Sequence, residues 1–114
     1  MICKKCVAHI PESNTKGFME TVYSELERIG LHTPDRCHAG APPENGYTRV
    51  EGDGIVSYYF NLQYRIRGNV QYALNAIEEE TRNRGGEYQA ILFKFPEDVE
   101  KAGIRLSSNE KLSR

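Results

Sequence analysis

From Ile55 to Arg67 the chain alternates almost without a break between apolar and polar positions. Val56, Tyr58, Phe60, Leu62, Tyr64 and Ile66 fall on one side of an extended strand, and Ser57, Tyr59, Asn61, Gln63, Arg65 and Arg67 on the other. Successive side chains of a strand point to opposite faces, so a period of two predicts one buried side and one wet side. The polar side is well equipped for contact, with a phenol ring, amides and guanidinium groups in sequence.

Residues 2–10 predict an earlier strand, with Ile2, Cys6, Ala8 and Ile10 on one face and Cys3, Lys5, Val7 and His9 on the other. Pro11 has no amide hydrogen to donate and ends it. Phe18, Val22, Leu26 and Ile29 then recur at helical spacing, widened by Met19 and Tyr23. Ser13 or Asn14 is the expected cap of that helix, and Gly30 its left-handed stop. Tyr47 to Glu51 predict a short strand, joined to the long one by a hairpin turn at Glu51-Gly52-Asp53-Gly54. Gly68-Asn69 are expected to break the long strand. Val70, Ala73, Leu74 and Ile77 then begin a second amphipathic helix that runs to about Arg84, with Gly85-Gly86 closing it. Residues 88–95 predict a last strand, residues 97–102 a short helical turn after Pro96, and residues 107–114 a flexible tail.

The order strand-helix-strand-strand-helix-strand predicts an α+β fold, the ferredoxin-like βαββαβ arrangement. Both helices would lie on one face of a four-stranded antiparallel sheet whose first and third strands are central. The apolar side of strand 55–67 would then sit under the helices. Its Tyr59, Asn61, Gln63, Arg65 side would be the middle of an open face. One α+β domain over residues 1–106 is expected.

Composition narrows the function classes. A chain of 114 residues, 39% hydrophobic and 27% charged, can bury a core without disulfides or metal. A net charge of −1 disfavours a dedicated duplex-DNA binder, which is usually basic. Cys3, Cys6 and Cys37 form an odd set with no signal-like or membrane-spanning segment beside them. A reduced, cytoplasmic setting is therefore expected.

The candidate chemistry is sparse. Cys3 and Cys6 have a zinc-like spacing, and Cys37 and His38 offer further ligands. However, residues three apart on a strand point to opposite faces, and a second close ligand pair is missing. These are weak metal candidates, and no metal or other cofactor is expected. Cys37 beside His38, with His9 or His32 approaching, would be the basis of a small enzyme, but no signature surrounds them. Glu78, Glu79 and Glu80 read as the solvated face of a helix, and Arg82 and Arg84 as cations suited to its C-terminus. The glycine pairs lack the spacing of a phosphate-binding loop.

Residues 32–46, rich in proline and without apolar period, predict a long loop that projects Arg36, Cys37 and His38 at one end of the sheet. The expectation is a small non-catalytic binding protein that occupies a macromolecular partner, as an inhibitor of a host complex would. The partner-binding residues would be Tyr59, Asn61, Gln63, Arg65, Arg67, Arg36 and His38. A protein partner or self-association is favoured, with a homodimer using Val7 and Leu92, and no membrane. The alternatives are a nucleic-acid, nucleotide or anion-binding module, a small enzyme using Cys37 or a histidine, and a zinc-stabilised interaction module. The aromatic-glycine signature of RNA-recognition modules is absent from residues 57–64.

Overall fold

The computed structural model of the protein describes residues 2–31 and 45–90. Strand β1 (Ile2–Pro11) leads through a short 3-10 turn (Glu12–Asn14) to helix α1 (Phe18–Arg28). Strands β2 (Gly46–Gly52) and β3 (Ile55–Tyr64) form a hairpin, helix α2 (Arg67–Asn83) follows, and β4 (Glu87–Ala90) completes the sheet. The strand order is β2-β3-β1-β4 and every pairing is antiparallel. This is the α+β ferredoxin-like arrangement that the periodicity predicts, with the first and third strands in the centre.

The apolar periods explain the packing. Cys6, Ala8 and Ile10 of β1 and Val56, Tyr58, Phe60, Leu62 and Tyr64 of β3 form one cluster with Phe18, Val22 and Leu26 of α1 and Val70, Ala73, Leu74 and Ile77 of α2. Both helices therefore cover one face of the sheet. Phe18 packs on Tyr58 with ring centroids 4.7 Å apart. The hairpin turns on Asp53 and Gly54, whose φ angles of 54° and 76° are both positive, as a two-residue turn matched to strand twist requires. Helix α1 stops as expected at Gly30 (φ 78°). The Gly30 amide donates to the Glu27 carbonyl at 2.9 Å and the Leu31 amide to that of Leu26 at 3.1 Å, which satisfies carbonyls left over at the helix end.

Element boundaries depart from expectation where tertiary partners decide them. Ser13 and Asn14 do not cap α1, whose first flanking residue is Gly17 with no side-chain cap. The Asn14 side chain donates instead to the carbonyl of Arg84, 2.8 Å away. Strand β3 stops at Tyr64 rather than Arg67, because its pairing with β1 ends at Ile2↔Tyr64. The chain then bends, and the Ile66 carbonyl accepts the amides of Asn69 and Val70 at 3.0 and 3.4 Å. Gly68 and Asn69 thus lie inside the first turn of α2 rather than before it. Gly86 is fixed by a close approach: a Cβ there would collide with the His9 carbonyl oxygen. The segments 91–95 and 97–102, the domain boundary near 106 and the tail 107–114 lie outside the described residues.

Candidate functional site

The face of the sheet away from the helices is not open at its centre. Val7 is 0% exposed, His9 1%, Tyr59 1%, Thr48 3% and Ser57 7%. The expectation that Tyr59 is a solvent-facing stacking platform is therefore corrected, and Val7 is not available as a dimer contact. Alternation shows that the two sides of β3 differ in polarity. It does not show that the polar side is wet, because Tyr, Ser, Thr and His tolerate burial once their polar atoms are accommodated.

His9 and Ser57 face each other across β1 and β3. The His9 Nδ1 and Ser57 Oγ share a buried hydrogen bond of 2.7 Å. Desolvation pulls the imidazole down to about 4, against an opposing attraction for the proton from Glu87, so His9 is neutral at physiological pH. Burial pushes the Tyr59 phenol up as well. Cys6 is buried under the helices, and desolvation raises its thiol to about 12, only partly offset by the neighbouring Tyr88 hydroxyl. A sulfur in that state is a small hydrophobe rather than a nucleophile.

Cys3 and Cys6 belong to one continuous strand, opposite Gln63 and Phe60 respectively. Among the described residues no group of three or more His, Cys, Asp or Glu could hold a metal. Arg36, Cys37, His38 and His32 lie outside the described residues, as does Leu92.

The remaining predicted contact residues separate into two sets. Asn61 and Gln63 stay on the second face of β3 and are half-buried; the Gln63 amide donates to Asn45 Oδ1 at 2.8 Å. Arg65 and Arg67 leave the sheet altogether and are exposed at the junction between β3 and α2. Ile66, predicted to lie under the helices, sits between them and is 63% exposed. Among the described residues neither arginine has an ion-pair partner.

The register gathers further cations at this end. Lys4 and Lys5 of β1 pair with Leu62 and Asn61, which puts them within about 10–15 Å of the junction at a strand rise of about 3.4 Å per residue. Neither β1, nor β3, nor α2 as far as Ile77 contains an Asp or Glu. Glu25, near the end of α1, is engaged by Arg28 at 3.4 Å and by the Tyr72 hydroxyl at 3.2 Å.

Sequence reasoning missed one residue that matters to the architecture. Arg84 reads as a helix-end cation, yet its Nη1 donates to the carbonyls of Asn14 (2.8 Å) and Lys16 (2.6 Å). Its Nε donates to Glu80 Oε2 at 2.5 Å, and its guanidinium carbon lies 5.8 Å from the centre of the Phe18 ring. The two carbonyls come from a loop some 70 residues away in the chain, so no local pattern announces them.

Comparison with protein-family models, with curated proteins and with solved structures found no match. The site must therefore be read from its own chemistry. No described helix is long and apolar enough to cross a membrane.

Proposed function

We propose that this is a non-catalytic binding protein that acts by occupying a macromolecular partner. Its contact surface is the junction between β3 and α2, centred on Arg65, Ile66 and Arg67. The observation that carries this is the exposure of Ile66, 63%, between two exposed arginines without ion-pair partners among the described residues. Arginine is enriched among the residues that carry binding energy at protein interfaces, and an exposed isoleucine beside it offers apolar area to bury. Burial of Tyr59 takes away the ring on which a base would stack, which favours a protein partner over a nucleic acid. Cys6 and His9, buried and with their reactive forms disfavoured, supply no chemistry at this surface.

The test is site-specific photo-cross-linking in extract of the native source. A cross-linking residue in place of Ile66 should give a discrete adduct, and one in place of Glu79, exposed on the distal half of α2, should not. Equal adducts from both positions, or none from position 66, would remove the junction as the contact surface.

A further inference from the structure

Charge is segregated along the strand axis. At the hairpin end lie Asp53 in the turn and Glu12, whose amide donates to the Gly54 carbonyl at 2.8 Å. Glu87 is there too, paired in register with His9, as is the Glu78–Glu80 run of α2. The described arginines at that end are already committed: Arg49 to Glu51, Arg82 to Glu78 and Arg84 to Glu80. The opposite end holds Lys4, Lys5, Arg65 and Arg67, on segments without a carboxylate as far as Ile77 of α2, beside the end of α1, where Glu25 is engaged by Arg28 and Tyr72 and Glu27 is exposed. Among the described residues acidic groups thus outnumber basic ones at the hairpin end, where Lys16 also lies, and basic groups outnumber acidic ones at the other. Ile66 stands at that basic end.

Given the junction as the contact surface, we infer that the partner offers an acidic protein surface with an apolar recess. Carboxylates would meet Arg65 and Arg67 as two-pronged acceptors, with Ile66 in the recess between them. A polyanion without a recess, such as a nucleic-acid backbone, would satisfy the arginines but leave Ile66 in water. Because most of the described acidic groups lie at the far pole, an acidic partner is attracted to one end and repelled from the other. The molecule is therefore oriented before contact, and docking weakens as salt screens the field.

The experiment uses three fluorescent probes with the full chain: a peptide with a central Leu-Leu flanked by glutamates, the same peptide with lysine for every glutamate, and a single-stranded oligothymidine. Wild type should bind the glutamate peptide, and R65Q/R67Q should weaken that binding about tenfold, the scale of losing two partly desolvated charge pairs. I66A should weaken it further. R65E/R67E should exchange preference and take the lysine peptide. All these positions are exposed, so an unchanged thermal melt confirms that the variants fold. Binding of oligothymidine in preference to the glutamate peptide would overturn the inference. So would a glutamate peptide held equally well by R65Q/R67Q, or one not bound at all. If position 66 still gave its discrete cross-linked adduct, the junction would stand as the contact surface while the acidic partner fell.

Discussion

An imidazole sealed from water beside a serine hydroxyl is a liability in acid. His9 holds its neutral form because burial draws its proton affinity down to about 4 from an ordinary value of 6.5. Between those two values the unfolded chain binds a proton that the folded chain refuses, so stability falls as pH drops through this window and levels off below it. The full effect is bounded at roughly 3 kcal/mol. Urea titrations from pH 7 to 4 should show this decline in wild type and a shallower one in His9→Gln, which keeps a hydrogen-bonding group beside Ser57. Parallel declines in the two proteins would show that His9 is not the acid-sensitive group. Cys6 obeys the same physics with opposite sign: burial disfavours its thiolate, so it should be the wrong place to look for reactivity.

At the level of elements, the connection between β1 and α1 is held from outside itself. The chain from Pro11 to Gly17 makes no side-chain cap for α1. It is fastened to the end of α2 by Arg84, whose guanidinium spans the carbonyls of Asn14 and Lys16 and the Glu80 carboxylate. Arg84 and Glu80 are each 17% exposed, so these charge-assisted bonds are shielded from competing water. Arg84→Ala should cost about 2–3 kcal/mol in urea denaturation. Arg84→Lys should recover little of it, since a single ammonium cannot reproduce the planar fork. Arg82 is the control. Its pair with Glu78 is 69% exposed on the arginine side, and Arg82→Ala should stay within about 0.5 kcal/mol. Equal losses at both positions would contradict the fastening role.

The same element shows how far sequence can be read. The stripe Phe18, Val22, Leu26 and the stop at Gly30 are local properties, and both are where the spacing puts them. The start of α1 is set by Asn14 meeting Arg84, a contact between segments distant in sequence, and no periodicity reports it. The end of β3 is similar. Alternation continues through Ile66, but pairing with β1 ends opposite Ile2. A residue that sequence assigns to the core therefore becomes an exposed apolar group at the proposed contact surface. Tyr59 errs in the other direction, since amphipathic side chains alone do not reveal what covers a polar face. Arg65 and Arg67 are legible in the sequence as exposed cations that a contact surface could use, though not as members of a helix junction.

The whole molecule is a sheet with unequal strands. Its central pair, β1 and β3, has helices on one face and side chains buried to 7% exposure or less at the middle of the other, from Val7 and His9 to Ser57 and Tyr59. The flanking strands β2 and β4 have only one described neighbour each. Local fluctuations can free an outer strand, but releasing an amide of the central pair requires dismantling the core. In deuterated water the amides of Cys6 to Ile10 and of Val56 to Leu62 should be the last to exchange, at a rate set by global unfolding. Those of Thr48 to Val50 and Tyr88 to Ala90 should exchange through smaller openings. Uniform exchange across all the strands would mean that the sheet opens as one unit. A graded pattern would make the two middle strands an internal clock for the stability of the whole chain, readable in every variant described above.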